Sequence, residues 1–131
     1  MTTITVDSHQ RVELIDITAK VRAAIRSSGI AEGLAVVYTP HTTAAVTINE
    51  NADPNVASDL VTALNQMVPF DNRYRHAEGN SAAHVKSSLV GVSEALIVQD
   101  GTPLLGTWQG VYFCEFDGPR RRQVYVRVVG S

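Results

Sequence analysis

The sequence predicts a mixed domain in which about eight short strands are interrupted by three helices. Two observations predict this class. Apolar and polar residues alternate along most of the chain, as in half-buried strands, and the period changes to helical spacing in three separate places. A length of 131 residues with 44% hydrophobic and 18% charged side chains is typical of one folded domain. It is too short for a (β/α)₈ barrel, which needs roughly 250 residues.

The chain begins with two predicted strands and a helix. Residues 3–8 and 11–17 show the alternation of strands, and their short connection predicts that they pair as a hairpin. A helix follows, because Thr18 can cap it and Gly29 can end it.

The middle of the chain predicts two more strands and a second helix. The β-rich segments 34–39 and 44–49 flank the turn at residues 40–43. Asp53 and Pro54 then predict a helix start, since Asp is a good N-cap and Pro fits the first helical position. The predicted buried stripe of this helix is Val56, Leu60, Val61, Leu64 and Met67.

A polar loop over residues 70–80 leads into a third predicted helix at about 81–90. A loop of this length in a small domain is usually functional or disordered. The Asp117-Gly118-Pro119 turn predicts that the last two strands pair. The strands predicted after the third helix are 94–99, 104–105, 108–116 and 121–129.

Charge and cysteine content limit the function classes. Eleven Lys and Arg against thirteen Asp and Glu give 11 − 13 = −2, which argues against a nucleic-acid binder. Cys114 is the one cysteine and lies in an apolar run, so we expect a buried thiol and a reducing cytoplasm. No apolar run reaches the roughly 20 residues that span a membrane, and no signal peptide is evident.

Three histidines fall at predicted ends of elements. His41 lies in the turn between two strands, His76 in the polar loop and His84 in the first turn of the third helix. Their clustering in loop-adjacent positions predicts a shared site. Their spacing matches no zinc signature, so a divalent metal (zinc or magnesium) and purely structural roles both stay open.

The residues before the third helix predict an anion site. Gly79, Asn80 and Ser81 precede its first turn, where free N–H groups and the helix dipole favour negative charge, and Lys86 adds a cation. The alternative is an ordinary cap in which Asn80 or Ser81 accepts a hydrogen bond.

Two further polar groups are candidates. Asn49, Glu50 and Asn51 follow a predicted buried strand, a junction that often positions ligands. Glu115 shares a strand face with apolar residues and needs Arg, His or metal as partner if that face is internal. The opposite face of this strand is equally apolar, so we expect both sheet faces to be covered, which suggests oligomerisation.

Four ordered segments resemble the YjbQ family, also called the secondary thiamine-phosphate synthase family. They are Pro40–Ala44, Ile48–Pro54, Tyr74–His84 and Gly106–Gly110. The resemblance covers roughly residues 4 to 129, and one departure is Ala77, where the family usually has Thr.

The resemblance implies an α+β fold in which two small sheets pack as a sandwich beside about three helices. It also implies a homotrimer with sites where protomers meet. The implied reaction joins a hydroxymethylpyrimidine diphosphate to a thiazole phosphate and releases pyrophosphate. The alternatives are a metal-dependent hydrolase or lyase, or a trimer that binds a phosphorylated metabolite without turnover.

The resemblance and the candidates above give a set of expected site residues. Expected catalytic residues are His41, His76, His84 and Glu115, and the three histidines are the expected metal ligands. Trp108 or Tyr74 is expected to stack on the pyrimidine. The expected substrate-binding residues are Thr42, Thr43, Asn49, Glu50, Asn51, Glu78, Gly79, Asn80, Ser81, Lys86, Trp108, Gln109 and Arg121.

Overall fold

The computed structural model describes residues 1–76 and 78–131, and Ala77 lies outside the described residues. The described part forms eight strands and three helices. The strands are β1 (Thr2–Asp7), β2 (Glu13–Asp16), β3 (Gly33–Tyr38), β4 (Ala44–Glu50), β5 (Ser93–Gln99), β6 (Thr102–Pro103), β7 (Gln109–Glu115) and β8 (Arg121–Gly130). The helices are α1 (Thr18–Ser27), α2 (Pro54–Met67) and α3 (Ser81–Val90).

The strands form two antiparallel sheets that face each other. One has the order β1-β8-β3-β5-β6 and the other the order β2-β7-β4. Alternate residues of both sheets, together with one face of α1, fill the main core between them. The predicted α+β sandwich of two sheets with three helices is therefore confirmed.

A second, smaller core lies on the other face of the three-stranded sheet. There Cys114 and Phe116 pack with Ala83 of α3 and with Val61 and Leu64 of α2. Both faces of β7 are thus covered by the chain itself, so the apolar character of this strand needs no oligomer to explain it. The expected burial of Cys114 is confirmed.

Both predicted hairpins are wrong. β1 and β2 lie in different sheets, and so do β7 and β8. Ser8 is the reason at the first connection: it is buried, its N–H donates to the carbonyl of Arg120, and its hydroxyl oxygen accepts the N–H of Arg120. The chain therefore crosses between the two sheets here instead of folding back.

Two details of the helices differ from expectation. Thr18 does not cap α1; its N–H instead donates to Asp16 Oδ1 at 2.9 Å, while the expected cap of α2 by Asp53 is confirmed. The predicted stripe of α2 is only half-buried, and Met67 is 70% exposed, because α2 contacts only the edge of the small core.

The outer face of the five-stranded sheet carries exposed apolar side chains. We call this the outer apolar face; Leu34 lies between Ile97 and Val129 of the neighbouring strands in the same register. Its large exposed side chains are Leu34, Val36, Tyr38, Ile97 and Val129. An exposed apolar patch of this kind is a candidate interaction surface.

In the part of the chain that the structure describes, no helix is long and apolar enough to cross a membrane.

Candidate functional site

The segment between β3 and β4 is held against β8 by the backbone carbonyl and the backbone N–H of Gln123. The Thr39 hydroxyl donates to the carbonyl of Gln123 at 2.7 Å, and the Gln123 N–H donates to His41 Nε2 at 3.0 Å. Arg122 adds a third tie, since its Nη2 donates to Thr43 Oγ1 at 2.8 Å. These contacts fix the position of His41 at one end of the sandwich.

A buried ion pair lies directly behind this segment. Glu115 and Arg122 are almost inaccessible, with side-chain exposures of 0% and 3%. Arg122 Nε donates to both carboxylate oxygens, and its Nη2 also donates to Glu115 Oε2. Ser8 and the N–H of Asp117 complete the shell around the carboxylate.

The hydrogen bonds decide the charge of Glu115. Burial alone would raise the pKa of this carboxyl, but donation from Arg122, Ser8 and the Asp117 N–H outweighs it and holds the pKa below its usual range. Among the three expected partners of Glu115, arginine is the one found. The expected catalytic role of Glu115 is not supported, because these donors occupy both of its oxygens; it holds Arg122 in place instead.

Two adjoining cavities open at this end of the sandwich and share Pro40, His41, Thr42 and His84. The outer cavity, of about 650 Å³, continues past Tyr38 at the edge of the outer apolar face. The polar cavity, of about 410 Å³, is lined in addition by Thr43, Glu78, Asn80, Asp117, Arg120 and Arg122. Both volumes are in the range of small-molecule sites.

A third cavity joins the other side of His84. It is lined by Tyr74, Arg75, His76, Ser81, His84 and Val85. The His76 and His84 rings meet edge to face with centroids 5.5 Å apart, and His76 Nε2 lies 3.6 Å from Glu78 Oε2. His84 therefore faces all three cavities and is the residue that links them.

The expected three-histidine metal site does not form. Within residues 1–76 and 78–131, no three His, Cys, Asp or Glu side chains are arranged to hold a metal ion. One of the two ring nitrogens of His41, Nε2, already accepts the Gln123 N–H. The described residues therefore do not fit a resident metal.

Comparisons with known proteins agree with this architecture. A family model described as UPF0047 protein YjbQ-like matches residues 2–131. The chain belongs to the YjbQ family. A UPF0047 protein of Methanocaldococcus jannaschii is 54% identical over 96% of this chain and 91% of its own length. The UPF0047 protein YugU of Bacillus subtilis is 50% identical over 98% of both chains.

Solved structures from the YjbQ family share the fold. A YjbQ/UPF0047 protein of Clostridium acetobutylicum superimposes with a TM-score of 0.96 at 47% identity, covering 98% of this chain and 100% of that one. A protein of unknown function from Sulfolobus solfataricus gives 0.95 at 29% identity, with 99% and 96% covered.

The family motifs split into two groups within one chain. Asn49, Glu50 and Asn51 lie at the far end of β4 from Thr43, and a seven-residue strand separates them by about 20 Å. Trp108 and Gln109 join this distant group, since the Asn51 N–H donates to the Trp108 carbonyl and Gln109 pairs with Glu50. These five expected residues do not line the cavities around His41 and His84.

Only some of the residues of the anion site expected before α3 line the cavities. Asn80 lines the polar cavity, but its side chain does not cap α3; its Nδ2 donates to Asp117 Oδ2 at 2.9 Å. Ser81 lines the third cavity, and Gly79 takes a positive φ of 79° just before the helix. The N–H groups of Ala83 and His84 donate to the Asn80 carbonyl, whereas those of Ser81 and Ala82 have no side-chain cap among the described residues.

Lys86 lies away from the site. It is fully buried, its Nζ donates to Asn65 Oδ1 at 2.7 Å, and it lies 3.8 Å from the centre of the Phe70 ring. Arg11 approaches the same ring at 3.6 Å. Burial, followed by the charge of Arg11, lowers the pKa of Lys86 from 10.5 to about 8. Lys86 is a structural residue between the helices rather than an anion-binding cation.

This pKa predicts a specific pH dependence of stability. Between about pH 8 and 10.5 the unfolded chain holds the Lys86 proton while the folded chain releases it, so the contribution of Lys86 to stability rises with pH. We expect the wild type to gain about 1 kcal/mol per pH unit relative to Lys86→Met in this window, measured by urea unfolding. The exposed Lys20→Met variant is the control, and a flat difference for Lys86→Met would contradict the assignment.

Four residues that line the cavities and bear on their chemistry are not among the expected site residues: Tyr38, Asp117, Arg120 and Arg122. Arg121 is one of the two expected cations, with Lys86, but it points outward and pairs with Asp7 at 2.9 Å, whereas Arg122 lines the polar cavity. The alternation of side chains along β8 predicts that Arg122 points inward, since it lies on the same face as the buried Val124 and Val126. The position of Tyr38 is also a signal in the sequence, since this residue ends a strand just before the Pro40-His41 turn.

Proposed function

We propose that this chain joins a pyrimidine diphosphate to a thiazole phosphate in the cavities around His41 and His84. The observation that carries the proposal is the pairing of a polar cavity with a larger cavity that reaches an aromatic side chain, with the two histidines between them. The polar cavity suits a phosphate, and Tyr38 offers a ring on which a heteroaromatic substrate can stack.

The reaction places clear demands on this site. The bond between the pyrimidinylmethyl carbon and the pyrophosphate oxygen breaks, and a bond from that carbon to the thiazole nitrogen forms. Positive charge develops on the carbon while negative charge develops on the leaving oxygen. Donors fixed around the leaving group lower the barrier because they need no reorganisation, and Arg120, His41 and the start of α3 supply such donors.

The charge of the polar cavity favours a diphosphate that arrives with a divalent cation. Arg120 and Arg122 contribute two positive charges, and Glu78 and Asp117 contribute two negative ones, so the charges of the lining sum to 2 − 2 = 0. The lining therefore has no surplus positive charge to balance a free diphosphate. Magnesium commonly binds through one or two carboxylates together with substrate phosphates, so we expect the substrate to be the magnesium complex.

The test is a turnover assay with untagged protein, both substrates and magnesium. We expect equal amounts of pyrophosphate and thiamine phosphate, and loss of both products when a chelator removes the magnesium. Hydrolysis of one substrate alone would favour the hydrolase alternative. Stabilisation of the fold by a substrate with no product above background would favour a binding protein, and either outcome contradicts the proposed reaction.

We also propose that the chain assembles as a homotrimer through the outer apolar face. Tyr38 belongs both to this face and to the outer cavity, so a neighbouring protomer seated there would also form a wall of the cavity. The distant motif group around Trp108, which is 62% exposed, would then be available to complete the site of another protomer. Native mass spectrometry is expected to give three times the chain mass, and Leu34→Asp is expected to give monomers.

A further inference from the structure

The contact between Gln123 and His41 determines where the imidazole carries its proton. A backbone N–H is always a donor, so the ring nitrogen that receives it must be unprotonated. His41 Nε2 receives the Gln123 N–H at 3.0 Å. A neutral imidazole with a free Nε2 lone pair holds its proton on Nδ1.

We propose that His41 works as a fixed, neutral Nδ1–H donor to an anionic oxygen of the bound phosphate group, and not as a metal ligand or general base. The proposal rests on the proposed function only for the identity of the ligand. The tautomer itself follows from the hydrogen bond to the main chain.

The surroundings hold His41 in this form. The Thr39 hydroxyl donates to the carbonyl of Gln123, so the backbone that supplies the N–H is itself held in place. Burial, and then the charge of Arg122, lower the pKa of His41, with a smaller contribution from Arg120 and an opposing one from Glu115. A neutral ring is therefore the form that substrate meets near neutral pH.

This tautomer also decides the chemistry that His41 can perform. Coordination of a metal through Nε2 would leave the Gln123 N–H without its acceptor, and an unpaired backbone donor is costly. Coordination through Nδ1 would require that nitrogen to lose its proton. Hydrogen-bond donation from Nδ1 needs neither change, and phosphate oxygens are strong acceptors for such a donor.

The first test is the tautomer of His41 in the wild-type protein, read by ¹⁵N nuclear magnetic resonance near neutral pH. We expect a protonated Nδ1 and an unprotonated Nε2, with the His41 signals assigned by their loss in His41→Gln. A ring protonated at Nε2, or a stoichiometric zinc site that uses His41 Nε2, would overturn the proposal.

The second test uses two substitutions that separate the ring nitrogens. Asn places its amide nitrogen near the position of Nδ1, whereas Gln places its amide group near that of Nε2. With inorganic pyrophosphate and magnesium as the probe, we expect calorimetric affinity within about threefold of wild type for His41→Asn and a loss of about tenfold or more for His41→Gln.

The outcomes separate this proposal from the proposed function. Equal losses in both variants, or retention in His41→Gln alone, would contradict donation from Nδ1 even if the enzyme turns over. Failure of the wild type to bind pyrophosphate would contradict the donor role and the phosphate site together. Binding of pyrophosphate without synthesis of thiamine phosphate would contradict the proposed reaction and leave the donor role supported.

Discussion

Arg122→Met is expected to destabilise the protein by about 3–5 kcal/mol, since it leaves a buried carboxylate without its partner. Glu115 is fully buried and receives Arg122 on both oxygens, so losing the guanidinium leaves the carboxylate without the cation that balances its charge. Urea unfolding followed by circular dichroism measures the change. Arg121→Met is the matched control, because its ion pair with Asp7 is exposed to solvent and therefore contributes little to stability.

The double variant Arg122→Met/Glu115→Leu distinguishes a costly ion pair from a simple loss of packing. Replacing both partners by apolar groups removes the buried charge as well as its partner, so we expect it to recover most of the lost stability. If the double variant is as unstable as the sum of the two single variants, the pair is not coupled as the structure indicates.

His84→Ala is expected to reduce the turnover of thiamine phosphate by about 10²–10⁴-fold while the protein stays folded. The reason is position: among the residues that the structure describes, His84 alone lines all three cavities at the candidate site. Turnover is measured by pyrophosphate release at saturating concentrations of both substrates. His9→Ala removes an exposed histidine outside these cavities and serves as the control.

Unchanged turnover in His84→Ala would contradict a role for this side chain in the reaction. Loss of activity in His9→Ala as well would point to a general effect of histidine removal instead. Circular dichroism of both variants shows whether the fold is intact, so that loss of structure is not mistaken for loss of chemistry.

Local patterns predicted the elements well but not how they pair. Asp53 and Pro54 mark the start of α2, and alternation places most strands within two or three residues of their observed bounds. The pairing was wrong where short connections suggested hairpins. A turn motif does not say which sheet the next strand joins, and here the buried contacts of Ser8 with Arg120 and Glu115 direct the crossover.

The candidate site could be predicted only in part. Motif residues such as His41 and His84 do line the same cavities, whereas Asn51 and Trp108 lie at the other end of the three-stranded sheet. The order of the motifs along the chain does not reveal this separation, because two of them flank the same strand, β4, at its opposite ends. The expectation that Lys86 binds an anion is wrong for a different reason. A charged residue on a short helix is expected to face water, but Lys86 packs against Phe70.

The tie between Gln123 and His41 has a consequence for how the protein tolerates substitution. Gln123 acts on His41 and Thr39 through its main chain alone, so many side chains at this position would preserve the tie. Proline is the exception, because it lacks the N–H. A position can therefore be essential to the site although its side chain takes no part in it.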